Sequence, residues 1–383
     1  MSARIRAWGI ASVQRGAGSP AWVRRGLLVV TATLLLFGLV SVYSASSFMA
    51  RSQSLPDSHF VVQQLAHAAV GTLALVAACY IDYRLYRRIA WPLLGVVAFL
   101  LVLLLLPWTR DIGPVRNGAR RWLDLGVTFQ PSELAKVAVV IWTASLAVKK
   151  QDRLHSLRYG LLPFLLVLGP LCVLILLEPH FSATMITGAL ALIVLFAAGA
   201  RLGHFAVLGA AALPLVYDQV VNTGYRMNRV MAFLNPALDA EGVGYQLRQS
   251  LIAVGSGGVL GVGFGESTQK LHYLPEPQND FIYPIIAEEW GLIGAIVVLA
   301  LYLAWTLLGL RIAAAAPDLF GRLLAIGLTA IVAIGAFGHV GVTIGVLPTT
   351  GVSLPFISAG GSGLVIALGV TGVLLNIAAR RRC

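Results

Sequence analysis

Asp280 closes the run Glu276-Pro-Gln-Asn279-Asp280-Phe-Ile-Tyr-Pro284, just ahead of a long apolar segment. Two chemistries suit it. An aspartate before a helix makes a good N-cap. A carboxylate held at the edge of a low-dielectric region instead has its pKa raised toward a general base's working range. Glu288 and Glu289 follow too deep for capping, so one or both should face an interior polar network. A second stretch reads Asn117-Gly-Ala-Arg120-Arg121-Trp-Leu-Asp124, then Gln130-Pro-Ser-Glu133-Leu-Ala-Lys136. Pro131 and Ser132 suit a helix N-terminus, with Glu133 in its first turn. Glu133 and Lys136, three apart, can pair along one face. That is a charge-matched helix start, but Lys136 falls a turn inside an apolar run, where an ionisable side chain is costly and commonly functional. The third stretch, Leu347 to Gly363, is rich in small residues and proline and holds no charge. It reads either as a tight inter-helix turn packed through small residues or as a backbone-lined wall beside a cavity, covered by protein or water.

Other chemistries lack their residues. No G-x-x-x-x-G-K-[ST] or G-x-G-x-x-G occurs in the six-glycine run Gly255–Gly265, so a nucleotide site fails. There is no H-E-x-x-H and the seven histidines are scattered, which argues against a catalytic zinc. Ser267-Thr-Gln-Lys270 fits S-x-x-K, but no S-D-N or K-T-G accompanies it, and the match reads as chance.

The elements that must position these groups follow from composition. Of 383 residues, 58% are apolar and 11% charged, against about 45–50% and about 25% in an ordinary soluble domain. One globule cannot hide that much apolar surface, and three scattered cysteines exclude a disulfide scaffold. The apolar runs are continuous, unlike the alternating strands of a membrane barrel. The expectation is an all-α polytopic membrane protein. Runs long enough to cross a bilayer core of ~30 Å number ten: Gly26–Ser44, Phe60–Ile81, Ile89–Leu106, Ser132–Val148, Tyr159–Leu177, Ala183–Ala200, Gly203–Val221, Pro284–Leu310, Arg322–Val346 and Gly361–Ala379. The first follows Arg24-Arg25 and is longer than a signal-peptide core, so it reads as an uncleaved span.

Ten crossings leave both termini on one side. Eighteen of the 28 Lys and Arg fall in the terminal tails and alternate loops, nine in the opposite loops, and Lys136 is embedded. By the positive-inside rule both termini are cytoplasmic. The net charge of +12 is thereby a topology signal facing anionic headgroups of the lipid bilayer, with no nucleic-acid partner implied. The division is a tail of residues 1–25, a membrane domain of 26–379 and a tail of 380–383. Two outer connections are long, Trp108–Gln130 and Asn222–Tyr283. Within the latter (222–283 as a loop), Tyr245–Val254 is too short to span and reads as an interfacial or re-entrant helix. The glycines after it allow tight backbone geometry or close approach of a ligand.

Taken together, Val42-Tyr-Ser-Ala-Ser46, Arg120-Arg-Trp-Leu, Gln130-Pro-Ser-Glu-Leu-Ala-Lys136, Gly244-Tyr-Gln-Leu, Gly255-Ser-Gly-Gly, Leu274-Pro-Glu with Asn279-Asp-Phe-Ile, and Leu354-Pro-Phe-Ile-Ser with Gly-Gly-Ser362 resemble the SEDS family (shape, elongation, division and sporulation), which includes RodA and FtsW. The match runs in order from about Gly26 to Ala379. Asn279, Ser353 and the Val42–Ser46 string are closer to the FtsW branch. The sequence departs from the family at His180 and Ser182, where Asp and Gly are usual, at Ala359 (Tyr) and near His339 (Asn).

The resemblance implies a glycosyltransferase at the bacterial inner membrane. It would polymerise lipid II into glycan strands on the outer face and release undecaprenyl diphosphate, in cell division or elongation. Asp280 corresponds to the family's essential aspartate, acting as the base on the acceptor sugar hydroxyl. Arg120, Arg121, Arg226 and Arg229 would flank the pyrophosphate, whose oxygens a guanidinium fork matches, with Lys136 as a further cation. Glu133, Lys136, Glu288 and Glu289 would support the cavity, and Asn279, Ser358, Gly360, Gly361 and Ser362 would wall it. A divalent cation, Mg or Mn, on the pyrophosphate is compatible with this chemistry, but no protein ligand set stands out. The implied partners are lipid II, undecaprenyl-linked glycan, a class B penicillin-binding protein and other division or elongation complex proteins. Two other classes suit the same residues: a lipid II flippase, and a division scaffold that activates a penicillin-binding protein.

Overall fold

The computed structural model describes residues 19–380 apart from 110–112, 116–118, 125–127, 236–241 and 272. Most of the N-terminal tail, the C-terminal residues 381–383 and Asn117 lie outside the described residues.

Apolar continuity makes helices here because, without water, backbone polar groups must be satisfied within the segment. The order is α1 (Ala21–Ser52), α2 (His59–Tyr80), α3 (Tyr83–Leu105), α4 (Pro131–Lys149), α5 (Leu162–Leu177), α6 (Phe181–Ala197), α7 (Leu202–Val221), α8 (Gly224–Leu234), α9 (Val243–Ser256), α10 (Ile282–Ala314), α11 (Leu319–Thr343) and α12 (Gly361–Ala379). A π-helical turn, Leu157–Leu161, leads into α5. Among the described residues the exception to the all-α expectation is a two-residue antiparallel ladder pairing Leu123 with Phe129 and Asp124 with Thr128. Among the described residues nine helical segments are long and apolar enough to cross a membrane, and α6, at 17 residues, is a shorter apolar helix. It corresponds to the sixth expected span, but the chain turns out at Ala198 and Gly199, where Gly199 takes φ 94°. The chain is thus an integral membrane protein built almost wholly of helices. α9 covers Tyr245–Val254, where a short helix was expected; α8 was not anticipated.

α4, α11 and α12 are the most deeply buried helices, whereas α7 has no buried residue. Trp142 of α4 packs edge-on to both Trp91 and Phe164. α2 and α12 approach closely because Gly372 lies where a β-carbon would stand 2.3 Å from the Leu75 carbonyl oxygen, the small-residue contact that replaces hydrophobic driving force in lipid.

The polar groups sort to two ends. At one end Asp318 caps α11 by accepting from the Gly321 N–H at 2.7 Å and accepts the Tyr83 hydroxyl at 2.5 Å, while Arg380 pairs with Asp82 at 3.6 Å. At the other end α4, α6, α10 and α12 begin and α5 and α11 finish.

α10 is two helices joined at Gly291, which takes φ 66° and ψ −166°. The break releases the Glu288 and Glu289 carbonyls, which accept from Val262 N–H at 3.0 Å and Gly263 N–H at 3.2 Å; Leu292 N–H donates to Gly258 O at 2.9 Å. A β-carbon at Gly261 would lie 2.1 Å from the Glu289 carbonyl oxygen. The glycine run therefore allows one backbone to lie against another.

Candidate active site

α4 starts where the sequence placed it, with Pro131 in its first turn and Glu133 at the positive end of the helix dipole. One turn on, Lys136 Nζ donates to Glu133 Oε1 at 2.7 Å, both side chains mostly buried. This pair lines a cavity of about 40 Å³ together with Ser353, Leu354, Ser358, Gly360 and Gly363. The charge-free stretch after α11 is therefore a cavity wall. It is held by hydrogen bonds: His339 Nδ1 donates to Val352 O at 2.7 Å, Leu354 N–H to Ser358 Oγ at 2.8 Å, and Gln64 Nε2 to Ser358 O at 3.0 Å. Tyr302 of α10 donates to the Pro355 carbonyl.

The same wall carries the segment before α10. Ser358 Oγ donates to Asn279 O at 2.7 Å, Ala359 N–H donates to Gln278 O at 2.9 Å, and Asn279 Nδ2 donates to Glu276 Oε2 at 2.8 Å. The contact from position 359 is made by its backbone, so the departure from the family's tyrosine leaves it intact. These bonds hold Asp280 against Gly351. The capping reading of Asp280 is not realised: Phe281 is the N-cap of α10, with no side-chain hydrogen bond. Asp280 is partly buried, and its carboxyl is pushed up to about 6. Loss of water is the main cause and repulsion from Glu276 adds to it, while Arg229 and Arg121 pull the other way.

The four arginines separate. Arg121 donates to Pro179 O at 2.6 Å and Arg229 to Thr349 O at 3.0 Å, both with their charges acting on Asp280. Arg226 donates to Gln219 Oε1 at 2.5 Å and lies 5.1 Å over the Phe181 ring. Arg120 departs from the expected phosphate role. Its Nε donates to Gly113 O, Nη1 to Leu106 O and Nη2 to Thr109 Oγ1, all within 3.0 Å, so its fork closes the loop after α3.

Glu288 and Glu289 do face a polar network, but not the cavity that Glu133 and Lys136 line. Glu288 accepts from Ser267 Oγ at 2.5 Å and Thr268 Oγ1 at 2.9 Å. Glu289 accepts from Ser44 Oγ at 2.5 Å and pairs with Lys270 Nζ at 2.9 Å. Lys270 also donates to Gly265 O at 2.6 Å. The chance S-x-x-K match thus supplies three side chains, Ser267, Thr268 and Lys270, that bind the glycine run to α10. Gly361 sits where a β-carbon would meet His67 Nε2 at 2.6 Å, so it serves α2–α12 packing; Ser362 Oγ accepts from Gln130 N–H at 3.3 Å.

Sequence reasoning missed Glu178. It lies 1% exposed between α5 and α6, neither carboxyl oxygen has a hydrogen-bond partner among the described residues, and burial pushes it up to about 8 against the pull of Arg121. A carboxylate at the end of an apolar run before Pro179 was the available signal. Among the described residues no three His, Cys, Asp or Glu side chains converge to hold a metal ion.

Residues 25–383 match the model of the cell cycle protein family FtsW/RodA/SpoVE. The chain is 45% identical to a protein of Trichlorobacter lovleyi named "Probable peptidoglycan glycosyltransferase FtsW", over 92% of each chain. It is 39% identical to stage V sporulation protein E of Bacillus subtilis, over 92% of this chain and 95% of that one. In fold it resembles a chain of a peptidoglycan synthase complex that coordinates polymerization and crosslinking, with a TM-score of 0.76 and 27% identity, covering 92% and 97% of the two chains. It also resembles the rod shape determining protein RodA of Thermus thermophilus, with a TM-score of 0.68 and 26% identity, covering 93% and 96%. With relatives this similar along nearly its whole length, and with the expected motifs standing in one bundle, the chain belongs to the FtsW/RodA/SpoVE family.

Proposed function

We propose that this protein is a peptidoglycan glycosyltransferase that polymerises lipid II, with Asp280 as its general base. The observation that supports the assignment most is Asp280 itself: a carboxyl free of capping duty, faced by Arg229 and Arg121 and poised near 6. In its deprotonated form it takes the proton from the acceptor sugar's 4-hydroxyl as that oxygen attacks the donor's anomeric carbon. The bond to the diphosphate breaks, and undecaprenyl diphosphate leaves with negative charge. Arg121 and Arg229 offset that charge through charge-assisted hydrogen bonds. Glu133 and Lys136 hold the cavity floor, and Asn279 and Ser358 fix the backbone that carries the base.

The rest of the reading follows from charge and length. α6, about 26 Å long at 1.5 Å per residue, is the sixth of ten crossings. Both termini are cytoplasmic because the basic loops cluster at the end opposite Asp280, so the active site faces outward across the bacterial inner membrane. The similarity to a synthase complex that both polymerises and crosslinks supports a class B penicillin-binding protein as partner, within a division or elongation assembly. The direct test is polymer formation from purified lipid II in detergent with that partner present. Asp280→Ala should abolish product while folding and partner binding persist. Normal polymerisation by that variant would remove the base assignment. Transfer of lipid II across liposome bilayers without polymer would favour a flippase, and partner activation with no polymer under any condition a scaffold.

A further inference from the structure

His180 leads into α6, and its ring is held from one side. Nδ1 lies 3.2 Å from Ser132 Oγ and 3.4 Å from Gln130 Nε2. An amide nitrogen can only donate, so Nδ1 accepts and the ring proton sits on Nε2. The residue is 9% exposed. Nε2 has no protein partner among the described residues, and it is absent from the polar atoms sealed away from solvent. It therefore opens onto the small area the residue still presents.

What surrounds that area favours negative charge. His180 is the N-cap of α6, whose first-turn N–H groups make the positive end of a 17-residue helix. Arg121 grips the adjacent Pro179 carbonyl, and its charge and that of Lys136 act on the imidazole. Burial and those two cations push the ring's pKa down to about 3, so it stays a neutral donor. Lys136 is matched by Glu133, so Arg121 is the cation left to favour an anion here, and burial raises the Glu178 carboxyl to about 8, which leaves it largely uncharged at neutral pH.

We propose that His180 is a substrate-binding residue whose Nε2–H donates to a phosphate oxygen of the lipid-linked diphosphate, beside Arg121 and the N-terminus of α6. The inference rests on the polymerase reading and adds to it the contact that recognises the leaving group. An uncharged sugar hydroxyl would gain little from a helix N-terminus and a guanidinium together, whereas a diphosphate gains from both.

The test compares His180→Gln, which can restore a donor at the Nε2 position, with His180→Asn and His180→Leu, which cannot. Two readouts are taken on the full-length protein with its penicillin-binding partner: initial polymerisation rate against lipid II concentration, and binding of undecaprenyl diphosphate against undecaprenol. Loss of one charge-assisted hydrogen bond should weaken diphosphate binding and raise KM by about tenfold. That loss is expected in Asn and Leu, with kcat near wild type, undecaprenol binding unchanged and Gln close to wild type. Wild-type diphosphate binding by Asn and Leu overturns the inference. Equal loss in all three variants, Gln included, marks the ring as a strut and overturns it too. If His180→Leu does not fold, Asn against Gln decides, since Asn can still reach Ser132 and Gln130. If the wild type makes no polymer, the polymerase reading fails by itself, and the diphosphate-binding arm still judges His180.

Discussion

Gly351 lies directly against the carboxyl group of Asp280: a β-carbon at position 351 would stand 3.2 Å from Oδ2. That spacing is tighter than ordinary van der Waals contact, and of the two partners the aspartate side chain is the freer to move. Gly351→Ala should therefore displace the base by a few tenths of an ångström without unfolding the wall around it. Small misplacements of a reacting group cost rate steeply, so we expect kcat to fall by about tenfold with the thermal midpoint nearly unchanged. A variant that polymerises at the wild-type rate would show that Asp280 is not held by this contact.

The pH dependence follows from the same carboxyl. Its pKa is raised from the ordinary 3.8 to about 6, and Arg229 and Arg121 limit the rise. A base works only when deprotonated. Polymerisation should therefore be flat above about pH 7 and fall roughly tenfold per unit well below 6. Arg229→Gln removes a charge that favours the carboxylate, so the acid limb should move to higher pH. A limb that moves down, or stays in place, contradicts the assigned coupling.

Arg120 and Arg121 are neighbours in sequence but should fail in different ways. Arg120→Ala strips the hydrogen bonds to Leu106, Thr109 and Gly113 and should lower the thermal midpoint, with KM for lipid II little changed. Arg121→Ala should leave the midpoint closer to wild type, raise KM and shift the acid limb upward. Steady-state kinetics with parallel melting curves separate the two, and matching behaviour would undo the distinction.

Lys270 and Glu289 form a buried pair, their side chains 6% and 2% exposed. Removing one partner leaves an uncompensated charge, which costs about 3–5 kcal/mol. Lys270→Met should thus melt well below wild type and speed hydrogen exchange at residues 262–271. Lys270→Met with Glu289→Gln should recover much of the loss. A single variant as stable as wild type would mean that the pair does not hold the glycine run to α10.

Much of the architecture was legible in the chain itself. All ten apolar runs coincide with helices, because in lipid a continuous apolar segment can satisfy its backbone only within itself. The Glu133–Lys136 pair was legible too, since three-residue spacing on a helix makes neighbours of the two side chains whatever lies around them. Asp280 stood out by its position ahead of an apolar run. The tertiary structure decided matters of long-range contact. It separated Arg120 from Arg121, because a guanidinium binds whichever carbonyls the loop brings near. It gave Glu288 and Glu289 their partners in Ser267, Thr268 and Lys270, across a helix break that only the backbone at Gly291 reveals. And it drew Glu178, His180 and Gly351 beside residues far away in sequence, where burial and opposing charges set their chemistry; local spacing carries no record of either.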